Sequence, residues 1–176
     1  STVKCRHNNG RETARVLADH FQNNTMIDTI VCLDGTELIG AFMAEFLADT
    51  GIMSINSGKN ISIITPDVNA YGQLVFMDST LRMIKHMQVL VLAASVTTGQ
   101  TITRAAEAVS YYGGTVRGVA AIFSNVEQTA EGMEIFSIFQ KEDLPDYQAY
   151  LPSECPMCRK KMPIDAIVNS FGYSKL

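Results

Sequence analysis

The stretch VLVLAASVTTGQT, Val89 to Thr101, sets an apolar run directly before a turn rich in hydroxyls and glycine. The run Val89 to Leu92 suits a strand buried on both faces, as in a parallel sheet. Ser95 to Gln100 reads as a turn. Ile102 to Tyr112 reads as a helix closed by Gly113-Gly114. Backbone N–H groups at a helix N-terminus lack intrahelical partners and sit at the positive end of the dipole. Gly99 lets a ligand approach the backbone closely, and Thr97, Thr98 and Thr101 add hydroxyl donors. The turn is therefore a candidate phosphate cradle. Its plainer reading is a turn with threonine N-caps. It is not a P-loop, which needs a Lys before its final Ser or Thr.

The same alternation continues on both sides. Arg11 to Asn24 predicts a helix, with Ala14, Leu17, Ala18 and Phe21 on one stripe. Thr29 to Leu33 predicts a buried strand. The turn Asp34-Gly35-Thr36 leads into a helix from Glu37 to Thr50, with Gly51 as its stop. Ile61 to Ile64 is a third strand, closed by Pro66. Residues 65 to 84 show no sustained period and are expected to form a long loop or a floppy hairpin. Val116 to Phe123 and Ile135 to Phe139 complete the strands. The expected fold class is α/β, an open and mostly parallel sheet with helices on both faces. Such sheets bind ligands at the carboxyl ends of their strands. The expected organisation is one α/β domain over residues 1–144 and a tail over 145–176 packed on it.

Composition narrows the function. The 176 residues suit a single domain. Charged residues make up 18%, below the usual share of about 25%, which argues against disorder. A net charge of −4 speaks against general binding to nucleic-acid backbones. The longest uncharged run, between His86 and Arg104, is too polar for a membrane span. No basic segment precedes an apolar stretch at the N-terminus. A cytoplasmic location is the expectation.

The Val89–Thr101 segment resembles the phosphoribosyl-diphosphate (PRPP) signature of type I phosphoribosyltransferases: four apolar residues, two acids, then a Thr-Thr-Gly turn with a following Thr. Family members acting on 6-oxopurines usually have Asp where this chain has Thr97, so the likeness is to the orotate branch. LPDYQAYLPSECPMCRKKMP, Leu144 to Pro163, is similar to the ending of one group of orotate phosphoribosyltransferases. The resemblance spans roughly Arg11 to Pro163, and the N-terminal region of such enzymes is usually longer. It implies a Rossmann-like sheet and transfer of phosphoribose from PRPP to a base such as orotate, yielding a nucleoside monophosphate and diphosphate. It implies Mg²⁺, a homodimer and a place in pyrimidine nucleotide synthesis. It assigns the 5′-phosphate to Ser95, Thr97, Thr98, Gly99, Gln100 and Thr101. It assigns the diphosphate turn to Asp34, Gly35, Thr36 and Glu37. Without the resemblance, Asp34 or Thr36 would simply cap a helix, with Glu37 in its first turn.

The PRPP motif is degraded. Ala93 and Ala94 stand where the family has the two acids that hold the ribose hydroxyls. Hydrogen bonds to charged groups contribute about 1.5–3 kcal/mol each. The loop from Thr65 to Met83 contains no Lys and has Tyr71 where the family has His. Its nearest cations are Arg82, Lys85 and His86, at the far end. A second expectation follows: a non-catalytic phosphosugar- or nucleotide-binding relative, acting as a sensor or partner subunit. Neither reading assigns catalytic residues. Cys155-Pro-Met-Cys158 has the spacing of half a zinc site, with Cys5 and His7 as completing ligands if the N-terminus meets the tail. It also fits a redox pair or a plain structural turn. Cys32 reads as a small buried hydrophobe.

Overall fold

Parallel pairing of the buried apolar runs organises the chain. The computed structural model describes residues 2–49, 54–151, 153–169 and 172–176. Thr50 and the Gly51 stop lie outside the described residues. In chain order the elements are α1 (Thr2–Cys5), α2 (His7–Phe21), β1 (Thr29–Cys32), α3 (Glu37–Asp49), β2 (Ser62–Ile64), β3 (Asp67–Val68), β4 (Leu74–Val75), α4 (Asp78–Leu81), β5 (Gln88–Val96), α5 (Gln100–Tyr111), β6 (Thr115–Ser124) and β7 (Ile135–Gln140). A 3-10 turn, Lys141–Asp143, then leads to α6 (Pro156–Arg159), β8 (Ala166–Asn169) and β9 (Gly172–Lys175). The main sheet runs β2-β1-β5-β6-β7, with every pairing parallel. Helices cover both of its faces, as expected.

The central strand shows why its sequence is apolar without alternation. Val89, Val91 and Ala93 belong to the core shared with Ile102, Ala105 and Val109 of α5. Leu90 and Leu92 belong to the opposite core, with Leu17 and Phe21 of α2 and Ile39, Met43 and Leu47 of α3. A strand buried on both faces has no polar side to show. β5 also runs to Val96, beyond the expected end at Leu92, because β6 keeps pairing through Ser95↔Phe123 and Val96↔Ser124. Tertiary partners thus hold Ala93, Ala94 and Ser95 in strand rather than turn.

Of the two expectations for residues 65–84, a long loop or a floppy hairpin, the structure shows the hairpin, between β3 and β4. Asn69 Oδ1 accepts the N–H groups of Tyr71 (2.9 Å) and Gln73 (3.0 Å), closing the turn between β3 and β4. Gly72 takes the left-handed conformation there, at φ 75°. Phe76 is buried and meets Tyr112 edge to face, with ring centroids 5.6 Å apart. The first long helix begins at His7, four residues before the expected start at Arg11, and α1 precedes it. The tail contributes Tyr147, whose ring meets Phe123 edge to face at 5.0 Å.

Two local features hold β1 in place. Asp28 grips the amino ends of neighbouring segments: its carboxylate accepts Lys59 Nζ at 2.7 Å and the Gln88 N–H at 2.9 Å. Burial pushes the Asp28 carboxyl up, but these two partners outweigh it and leave it below the ordinary range. At the other end of β1, α3 packs closely over Cys32. A Cβ on Gly40 would lie 2.5 Å from Cys32 Sγ. Cys32 is fully buried, and burial pushes its thiol up to about 12.

Gly40→Ala should therefore destabilise the fold by about 1–3 kcal/mol through overpacking. Cys32→Ala in the same chain should recover most of that loss, as read by urea denaturation. For Asp28 the folded pKa is depressed, so its contribution is present above the ordinary aspartate range and is lost as pH falls below it. Asp28→Asn should lower stability at pH 7, and its difference from wild type should shrink below about pH 4.

Candidate functional site

The carboxyl ends of β1 and β5 lie side by side, while the chain continues to β2 on one flank and β6 on the other. This reversal of strand order opens a crevice at which open parallel sheets bind ligands. Both turns singled out from the sequence, Asp34–Glu37 and Ser95–Thr101, follow these two strands. Their junction is tied directly. The Leu33 N–H donates to the Leu92 carbonyl at 2.8 Å. The buried Thr36 hydroxyl donates toward the carbonyls of Leu33 (2.8 Å) and Leu92 (3.2 Å). Thr36 thus spends its proton on the strands, which corrects the helix-cap reading of this residue.

The second turn presents a bare helix end. Gly99 is the N-cap of α5, at φ 80° and ψ −10°, and no side chain caps the helix. The threonine-cap reading does not hold, and the first N–H groups of α5 remain directed at the crevice. Thr97 and Gln100 are exposed and Thr98 is half-buried. From behind, Asn125 Nδ2 donates to the Thr97 carbonyl at 3.3 Å, and Thr103 donates to Glu131 at 2.8 Å. Asn125 Oδ1 is buried without a hydrogen-bond partner among the described residues. No motif in the sequence pointed to Asn125.

The first turn carries charge of both signs. Asp34 and Gly35 are successive left-handed residues, at φ 56° and 73°. Aspartate visits that region more readily than most residues. Burial raises the pKa of Asp34, while the Lys4 ammonium and the Ala94 N–H partly offset that rise. Lys4 Nζ donates to the Asp34 carbonyl. A Cβ on Gly35 would lie 3.8 Å from Lys4 Nζ and 4.0 Å from Glu37 Oε2, so both charges border this glycine. Glu37 Oε1 accepts the Thr65 hydroxyl at 2.9 Å.

Lys4 is the cation that sequence reasoning missed. It lies on a one-turn helix with no pattern to announce it, and only the fold brings it to the crevice. The cations that were noted lie elsewhere. The His86 N–H donates to the Gly113 carbonyl at 2.8 Å, and Lys85 borders Gly113. Gly113 follows the C-terminus of α5, and a helix of that length spans about 18 Å. Lys85 and His86 are thus at the amino edge of the sheet, away from both turns. Nor do the cysteines assemble as a zinc site. Among the described residues no three His, Cys, Asp or Glu side chains converge, so Cys5 and His7 do not complete the pair. Cys155 instead caps α6, its Sγ accepting the Cys158 N–H at 3.2 Å. Hydrogen bonds from Cys158 hold the Cys155 thiol below the usual range.

The hollow inside the second turn is about 30 Å³, lined by Asp34, Ala93 and the Ser95–Ile102 segment. That volume suits a small anionic group, with the rest of a ligand projecting outward. A roomier hollow of about 670 Å³ lies away from the strand ends, between Tyr71–Val75 and the outer face of α5.

Comparison with known proteins agrees with this geometry. No protein-family model matches the chain. It is 35% identical over 80 residues to an orotate phosphoribosyltransferase of Chlorobaculum parvum, a match covering 45% of this chain and 39% of that relative. The chain thus matches well under half the length of that curated relative. Among solved structures it resembles the Mycobacterium tuberculosis orotate phosphoribosyltransferase in complex with PRPP. The TM-score is 0.58 at 19% identity, covering 81% of this chain and 79% of that one. A phosphoribosyltransferase from Corynebacterium diphtheriae gives a TM-score of 0.56 at 20% identity, with 81% and 85% coverage. The adenine phosphoribosyltransferase of Leishmania donovani gives 0.56 at 14%, with 92% and 79% coverage. All of these proteins are named as phosphoribosyltransferases. The chain has the type I phosphoribosyltransferase fold, and over 80 residues its sequence is similar to that of an orotate phosphoribosyltransferase.

Proposed function

We propose that this chain is an orotate-like phosphoribosyltransferase that binds the ribose 5-phosphate group of PRPP at the Ser95–Thr101 turn. The observation that carries the proposal is the uncapped N-terminus of α5, entered through left-handed Gly99 at the point where strand order reverses. Backbone N–H groups and the helix dipole favour an anion there. The reaction breaks the bond between the ribose C1 and diphosphate and forms one from C1 to a ring nitrogen of the base. Positive charge develops on the sugar as diphosphate leaves. The Asp34–Glu37 turn would meet that diphosphate, with Lys4 as its cation.

Mg²⁺ is part of the proposal; when bound it would supply positive charge that offsets the charge of the diphosphate. With no cluster of three ligating side chains among the described residues, the cation would be held mainly by substrate oxygens and water. Glu37, which borders Gly35 in the same turn, would reach the cation through water. The proposal includes a homodimer, a cytoplasmic location and a place in pyrimidine nucleotide synthesis. No helix among the described residues is long and apolar enough to cross a membrane. Residues 145–176 are taken as part of the same unit, which the Phe123–Tyr147 contact supports.

With PRPP, Mg²⁺ and orotate, the protein should release diphosphate at about 1 s⁻¹ or more. No release with orotate, uracil or a purine base would overturn the transferase proposal. Gly99→Val should weaken binding of uridine 5′-monophosphate at least about 10-fold in calorimetry, because φ 80° disfavours any side chain and Thr129 Cα sits 3.6 Å from the new Cβ. Equal binding by both proteins would rule out the turn as the phosphate site.

A further inference from the structure

We propose that Asp34, delivered from the end of β1, takes over the work of the missing acids of β5 and accepts a hydrogen bond from the ribose hydroxyls of the bound phosphosugar. The inference rests on the proposed phosphoribose site and deepens it.

The register brings the two positions together. Cys32 pairs with Leu92 in the parallel ladder. Asp34 lies in the turn two residues past the end of β1, where the Ala94 N–H favours its charged form. The same side chain lines the hollow with Ala93 and the Ser95–Ile102 segment. A carboxylate is thus present beside the phosphate turn although β5 itself carries none. It comes from the neighbouring strand instead of from the same strand.

The backbone supports this use of the residue. Asp34 is held at φ 56°, a conformation that is sparsely populated for a residue with a side chain. The following Gly35 is left-handed as well, so the chain turns sharply as soon as it passes Leu33. The Thr36 hydroxyl and the Leu33 N–H fix the turn to the Leu92 carbonyl. Acids at 93 or 94 would crowd the same space with like charge, whereas alanines leave room for the incoming side chain. A single carboxylate can accept two hydrogen bonds from a vicinal diol, one at each oxygen. Lys4 borders the same turn on its outer side, so the leaving diphosphate and the sugar hydroxyls would meet opposite charges from one short segment.

Calorimetry in EDTA tests this without any metal-bridged contact. The ligands are uridine 5′-monophosphate, its 2′,3′-dideoxy analogue and inorganic phosphate. Wild type should bind the hydroxylated nucleotide about 10- to 100-fold more tightly than the dideoxy one, the range for a hydrogen bond to a charged group. Asp34→Asn should lower affinity for uridine monophosphate by a similar factor and erase that preference. It should leave the dideoxy nucleotide and phosphate as tight as before or tighter, since a negative charge is removed. Asp34→Gly, which suits the left-handed backbone, should behave the same way and guards against misfolding of the first variant. A preference that survives in both variants overturns the assignment. So does a uniform loss across all three ligands, which would mark a structural role. If wild type binds none of the three, the phosphoribose site itself is wrong.

Discussion

The parallel pairing of β1 with β5 is the constraint on which the rest of the structure depends. It places the ends of two strands, far apart in sequence, next to each other at the point where strand order reverses. The Leu92 carbonyl is its focal atom, accepting the Leu33 N–H at 2.8 Å and sharing the Thr36 hydroxyl. A buried carbonyl without such partners would cost free energy comparable to a lost hydrogen bond. The close fit of Gly40 over Cys32 removes slack on the other side, because α3 cannot shift without opening a gap in the core. The Asp34–Glu37 turn is therefore clamped between a helix and two strands. A turn held in that way can keep two successive residues in left-handed conformations.

Charge is scarce in this protein, and its placement gives the shortage meaning. Ala93 and Ala94 stand where the resembled signature has acids, and the segment from Thr65 to Met83 has no lysine. The crevice nevertheless has a cation and a carboxylate, Lys4 and Asp34, both beside one turn. Two charges positioned by the fold can thus answer for several that the motif lacks. Loss of a motif's acids need not remove the chemistry when the neighbouring strand ends at the same height.

Much of the fold was legible because it rests on local rules. Val89 to Leu92 and Thr29 to Cys32 are unbroken apolar runs, and such runs belong to strands covered on both faces. The stripe Ala14, Leu17, Ala18 and Phe21 has helical spacing, and all four residues are buried. Gly99 flanked by threonines announced a helix entry open to a ligand. The misreadings and the choice left open all involve partners distant in sequence. β5 runs on to Val96 because β6 pairs with it. Residues 67–75 form the hairpin of the two expected forms, and it is Phe76 against Tyr112 that anchors it. Thr36 looked like a cap, yet its hydroxyl turned to the Leu92 carbonyl. Lys85 and His86 looked close to the working turns but lie at the other edge of the sheet.

The sequence by itself determined the α/β class, the two strand-end turns and the phosphoribosyltransferase likeness. Hydrophobic period, glycine position and motif spacing act over a few residues and leave their mark in the linear chain. Only the tertiary structure decided which charges stand in the crevice. Lys4 arrives on a one-turn helix, and Asp34 lines the hollow of the second turn from just past the end of β1. Neither placement follows from local propensity, since each is set by packing against segments dozens of positions away. The motif's missing acids were visible in the sequence, but the carboxylate that can stand in for them became visible only once β1 and β5 were side by side.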